Sequence, residues 1–285
     1  MKITEIINSN KPSLSFEVFP PKTTDKFDGV AEAVEKIVQL SPSYMSVTYG
    51  AGGGTSDYTA DISERILSRG VTPLAHLTCI SSTKNEVRAL LSDLKARGIE
   101  NILALRGDIP DGANPPREYK YASELIRDIR EIGGFTVGGA CYPEGHPESA
   151  SGDADIDALR IKIDAGCEFL TTQMFFDNNI LYNFLYRLLR RGVSVPVVAG
   201  IMPVTNAKQI KRIVDISGSK LPERFIRIVD RYGDNPAAMK QAGIAFATEQ
   251  IIDLYANGIN AVHVYSMNKP DIAAKIKENL SDIIG

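Results

Sequence analysis

Short apolar runs rich in β-branched and aromatic residues recur along the chain at 14–19, 44–48, 71–78, 102–106, 135–141, 169–173, 197–202 and 261–265. Each is short enough to read as a buried strand. Between them the spacing turns helical: Val30, Val34, Ile37 and Val38 share one face of a 3.6-residue helix, as do Val87, Leu90, Leu91 and Leu94. Thr83 with Glu86 forms a capping-box pattern, and Pro236 stands just inside a helix opened by Asp234 or Asn235. Run starts recur at about the 30-residue length of a βαβ unit, except for a longer gap before the last. That gap holds 217–235, with proline and charge, and then a helical run over 236–256.

Eight such units predict a closed (β/α)8 TIM barrel, one domain over residues 1–285. The competitor is a doubly wound sheet, but no G-x-G-x-x-G opens a helix after the first run. Gly50, Gly52, Gly53 and Gly54 follow the second run and miss the third glycine's place. They read instead as a flexible loop of close approach.

Alternation in the first run puts Leu14, Phe16 and Val18 on one face and Ser13, Ser15 and Glu17 on the other, before Pro20 and Pro21 stop the ladder. A carboxylate in an otherwise apolar strand needs a reason. Glu17 is either paired with a basic neighbour or placed for chemistry.

Composition narrows the classes. The chain has 285 residues, 44% hydrophobic and 24% charged, and a net charge of -3, which gives no basic field of the kind that draws a protein to nucleic acid. No run has the length of a membrane span and the first residues lack a signal peptide's apolar core, so a soluble cytoplasmic protein is expected. Cys79, Cys141 and Cys167 are too few and too scattered for a disulfide framework or a metal site, and His76, His146 and His263 form no metal-binding pair. Buried free thiols are expected.

In a barrel, chemistry gathers at the C-terminal ends of the strands. Those ends offer Glu17, then Thr48 and Tyr49, then His76, then Arg106, Gly107 and Asp108, then Tyr142, Glu144 and His146, then Gln173 with Phe175 and Phe176. Each also has a structural reading. Arg106 and Asp108 could pair with each other, His76 could be a satisfied core histidine, and Gln173 could satisfy a neighbouring backbone group. No nucleophile elbow and no glycine pair for a barrel phosphate site are present, and no strand carries an interior lysine. Carboxylate acid chemistry beside an organic cofactor remains.

The strings SFEVFPPK (15–22), SVTYGAGG (46–53), HLTC (76–79), ALRGD (104–108), YPEGHPE (142–148), TTQMFFD (171–177) and GIMPVTN (200–206), in that order, resemble the methylenetetrahydrofolate reductase family over nearly the whole chain. The resemblance is to the catalytic barrel alone. It implies an FAD-containing barrel that takes hydride from NADH or NADPH and reduces 5,10-methylenetetrahydrofolate to 5-methyltetrahydrofolate, a reaction of methionine biosynthesis.

By the same resemblance Thr48, Tyr49, Ala51, His76, Arg106, Gly107, Asp108, Ala122, Tyr142, His146, Asp155 and Lys162 would contact FAD, while Gln173, Gln209 and Lys269, with Asp108, would meet the folate. Glu17 would be the acid that protonates the departing ring nitrogen, and Asp108 the second catalytic carboxylate. Ala158 and Ile161 stand where many relatives carry Asn and Arg, which thins the adenine-side contacts. Ile213 replaces a phenylalanine that some bacterial relatives place beside nicotinamide and folate. Some short members of the family act with an iron-sulfur partner subunit, which leaves that electron donor, and a homo-oligomer, open.

Overall fold

The structure is a computed structural model that describes residues 1–21, 23–49, 56–109, 116, 118–210, 213–214 and 218–285, without the side chains at 24, 56, 57 and 209. The glycine cluster of the second loop, Ala51 included, lies outside the described residues. Eight parallel strands close on themselves: β1 (Ser13–Val18), β2 (Met45–Val47), β3 (Pro73–Thr78), β4 (Asn101–Leu105), β5 (Thr136–Cys141), β6 (Phe169–Thr172), β7 (Val197–Ile201) and β8 (Ala261–Val264). Every strand pairs with its chain neighbours, and β8 returns to β1 with Ser13 to Phe16 opposite Ala261 to Val264. The (β/α)8 barrel expected from the spacing is the fold observed.

Leu14, Phe16 and Val18 face outward, into the apolar layer between sheet and helices. They join Val34 and Ile37 of the helix Phe27–Val38 there, while Val87, Leu91 and Leu94 cover the sheet from the helix Lys84–Ala96. That helix starts as predicted: Glu86 N–H donates to the Thr83 hydroxyl, and Thr83 N–H donates to the Glu86 carboxylate at 2.7 Å. Cys79, Cys141 and Cys167 are buried and free. Among the described residues no helix is long and apolar enough to cross a membrane.

Three features were not evident from periodicity. The turn Ile3–Ile7 sends Ile3 and Ile7 against Tyr44, Leu74, Leu103, Phe169, Val198 and Ala261, an apolar layer that closes the N-terminal end of the barrel. Asn101 ties it down, accepting from Ile3 N–H at 2.9 Å. The extra stretch 217–235 contains a helix, Glu223–Tyr232, whose Phe225, Ile228 and Val229 share one face and pack with Phe176 and Met239. Finally, the helix Pro236–Ala256, capped by Asn235, lies directly on the chain after β7. At Gly243 an added Cβ would sit 1.9 Å from the Val204 carbonyl oxygen.

Candidate active site

The polar face of β1 points along the barrel axis. Ser15 and Glu17 meet Ser46 from β2, His76 from β3 and His263 from β8, each on an inward-facing position. His263 is 2% exposed and is engaged at both ring nitrogens: Ser15 Oγ lies 2.7 Å from Nδ1 and Ser46 Oγ lies 2.9 Å from Nε2. Ser15 donates its hydroxyl proton to Val262 O at 3.1 Å. Tyr44 stacks on the ring at 5.8 Å, and Tyr265 meets it edge-on at 5.5 Å.

The Glu17 carboxylate sits above this ring. Its Oε2 is 3.8 Å from Nε2 of both His76 and His263 and 3.5 Å from Ser46 Oγ, and the side chain is 16% exposed. No lysine or arginine pairs with it among the described residues. His76 is itself no permanent cation: burial pulls its pKa down to about 4, outweighing the pull of Glu17 in the other direction, and His263 adds to the lowering. Its Nε2 is buried with no hydrogen-bond partner among the described residues. The basic neighbours of Glu17 are thus two buried imidazoles rather than a lysine or arginine.

His76 also makes stability depend on pH. Unfolded, the imidazole titrates near 6.5; folded, near 4, so between these values the unfolded chain holds a proton that the folded chain refuses. Stability from this group is full above pH 6.5 and falls as pH drops through the window, by about 3 kcal/mol at its lower end. Urea unfolding of wild type and His76→Gln at pH 7 and pH 4 should show the wild type losing about 3 kcal/mol more than the variant.

A second group lines the ends of β4 and β5. Arg106 does not pair with Asp108 as one reading had it. Its guanidinium is held in a fork by Glu148, at 2.5 and 2.7 Å, while Asp108 stays exposed. Gly107 takes φ +84°, and a Cβ there would lie 2.9 Å from Thr78 Cβ, so close chain packing as well as any ligand demands glycine. Tyr142 and His146 meet edge-on at 4.5 Å. Asp155 is buried in the helix Gly152–Asp164 and accepts from His146 N–H at 3.3 Å; burial pushes its carboxyl pKa up. Lys162, on the same helix, donates to Ala140 O at 2.8 Å, and burial lowers its pKa. Ala122 opens the helix Ala122–Ile132 at the same end of the barrel.

The remaining predicted residues are spread over the rim. Thr48 N–H donates to Val18 O at 3.0 Å, beside the end of β1, and Tyr49 packs against the main core. Gln173 accepts from Met174 N–H at 2.9 Å. Lys269 Nζ lies 3.5 Å from Thr205 Oγ1. The Gln209 side chain lies outside the described residues, although its backbone closes the turn Ala207–Gln209. Ala158 and Ile161 are exposed, and Ile213 packs with the apolar group around Met202 and Val204. Ser15 was read only as sharing the face of Glu17, and Ser46 and His263 were not singled out for the site; alternation applied to 261–265 would have turned His263 to the same side as Glu17.

An eight-stranded parallel barrel with its polar groups gathered at the strand ends, and a carboxylate held inside, defines a TIM-barrel enzyme. A family model described as methylenetetrahydrofolate reductase matches residues 2–281, and the chain belongs to that family of oxidoreductases. It is 35% identical over 269 residues to the 5,10-methylenetetrahydrofolate reductase of Escherichia coli (strain K12), covering 94% of this chain and 90% of that one. It is 34% identical over 297 residues to methylenetetrahydrofolate reductase (NADH) 1 of Zea mays, covering 98% of this chain but 50% of the plant protein. Among solved structures, an uncharacterized protein from Clostridium thermocellum that binds two copies of 5-methyl-5,6,7,8-tetrahydrofolic acid shares the fold, with a TM-score of 0.65 at 16% identity over 99% of both chains.

Proposed function

We propose that the chain reduces 5,10-methylenetetrahydrofolate to 5-methyltetrahydrofolate, with FAD as its bound cofactor and NADH or NADPH as hydride donor. The observation that carries this reading is Glu17, a carboxylate inside the barrel whose basic neighbours among the described residues are two buried imidazoles, in a chain of this family.

The donor set fits a flavin dinucleotide. Arg106 and Lys162 bring cationic donors for a diphosphate, Asp155 an acceptor for ribose hydroxyls and Tyr142 an aromatic surface. The buried Nε2 of His76 and Oγ1 of Thr171 have no hydrogen-bond partner among the described residues. Arg106 must leave Glu148, but Glu148 is 62% exposed, and such a pair is worth about 0 to 1 kcal/mol. Thr48, Tyr49, Ala51, Gly107, Ala122 and His146 complete the set. When bound, the flavin supplies hydride.

The chain's own task is to make the folate accept it. Glu17 gives its proton to the departing nitrogen of the five-membered ring; the C–N bond breaks, the nitrogen keeps the pair, and the iminium carbon becomes electrophilic. Asp108 orients the pterin, while Gln173, Gln209 and Lys269 hold the folate end.

Anaerobic mixing with NADH tests the reading. Purified protein should be yellow, bleach with NADH, and regain colour when the methylene substrate is added. Protein that takes up no flavin when FAD is supplied would overturn it. Flavin that bleaches with dithionite but not with NADH would favour a flavin-bearing subunit fed by an iron-sulfur partner, a reading that Ile213 supports by standing where relatives place an aromatic gate.

A further inference from the structure

Backbone pairing between β1 and β8 ends at Phe16 and Val264. Beyond that point the β8 side of β1 is held by side chains. Ser266, buried, donates its hydroxyl to Glu17 O at 2.6 Å. Asn268 then takes both backbone groups of Phe19: its Oδ1 accepts from Phe19 N–H and its Nδ2 donates to Phe19 O, each at 2.9 Å. The carboxamide stands where a peptide group of the next strand would. Pro20 and Pro21 have no N–H, so Phe19 is the last residue before the loop that can be anchored at both groups. On the opposite edge Glu17 and Val18 still pair with Ser46 and Val47 of β2.

The clamp is reached through an unfavourable backbone. Met267 and Asn268 both adopt left-handed conformations, φ 55° and 52°. Asparagine tolerates that region; a side chain such as methionine does not, and such residues persist only where the surrounding structure holds them. Directly after the clamp, Lys269 caps the helix Pro270–Asn279.

We propose that Asn268, with Ser266, is a positioning residue of the reaction. It fixes the backbone of residues 17–19, and so aims the Glu17 carboxylate at the substrate nitrogen. It also makes the acid and Lys269 parts of one rigid piece. The inference rests on reading Glu17 as the acid. Misplacing a reacting group by about 1 Å can cost about 100-fold in rate, so the clamp acts on the proton-dependent step and not on flavin reduction.

Asn268→Gly tests it, since glycine tolerates the left-handed backbone and removes the side chain that carries the carboxamide. At saturating folate, single-turnover formation of 5-methyltetrahydrofolate by pre-reduced enzyme should fall about 10- to 100-fold, with flavin bleaching by NADH within about twofold of wild type. Met267→Gly, which relieves the neighbouring residue and leaves the clamp alone, should keep the wild-type rate. A wild-type folate step in Asn268→Gly, an equal loss in both steps, or an equal loss in Met267→Gly would overturn the proposal. Should Asn268→Gly not fold, Ser266→Ala carries the same prediction of a selective loss. Glu17→Gln is run in parallel: if it retains the folate step, the acid assignment fails and the clamp with it, whereas loss in Glu17→Gln without loss in Asn268→Gly overturns the clamp alone.

Discussion

Glu17→Gln is expected to slow hydride delivery to the folate by about 10² to 10⁴ while leaving flavin bleaching by NADH near the wild-type rate. Glutamine matches the carboxylate in shape and can still meet Ser46, so little in the packing changes, but it has no acidic proton to give. No neighbour can replace it. His76, 3.8 Å away, has a pKa near 4 and is neutral at pH 7. His263 is 2% exposed and has both ring nitrogens engaged by Ser15 and Ser46. Asp108 is exposed at the rim. Stopped-flow absorbance, following the flavin in each half-reaction separately, decides the matter: equal losses in both would remove Glu17 from the role of acid.

Gly243→Ala should lower stability by about 2 kcal/mol or more, against the direction that helix propensity alone predicts. In a helix interior alanine is favoured over glycine by about 1 kcal/mol. Here, however, the new Cβ would sit 1.9 Å from the Val204 carbonyl oxygen and 2.8 Å from its carbon. Backbone cannot rotate away as a flexible side chain can, so the helix or the loop after β7 must shift, and overpacking of this kind costs about 1 to 3 kcal/mol or more. The damage should extend to function, because the displaced segment includes Thr205, the neighbour of Lys269. Thermal unfolding checks the first effect; a raised KM for folate checks the second. An unchanged or higher Tm would mean that the contact yields without cost.

The strands were legible because a barrel strand is buried on both sides and reads as a short continuous apolar run. The helices showed through their 3.6-residue spacing and, at Thr83 and Asn235, through their caps. Glu17 stood out for the same physical reason that makes it interesting, a charge amid apolar residues. Its surroundings did not. Ser15, Ser46 and His263 come together across separations of 217 and 248 residues, and a serine on an alternating strand looks the same whether it faces water or a barrel axis. Only closure of the sheet decides which. The partner of Arg106 is a further case: Asp108 is two positions along the chain, but Glu148, 42 positions away, makes the fork. The helix Glu223–Tyr232 was hidden by the proline and the charges around it, and Ile3–Ile7 is too short for its period to register.

On the proposed role of Glu17, the apolar floor formed by Ile3 and Ile7 governs how a spent acid is recharged. With that end closed by the apolar layer and the ladder continuous all the way round, the approach to Glu17 among the described residues is from the rim, which the folate would fill during the proposed reaction. A carboxylate that has given up its proton must then wait for product to depart before it can take another. Product release and reprotonation thereby become consecutive events, and a cavity blind at one end imposes an order on the cycle that an open channel would not.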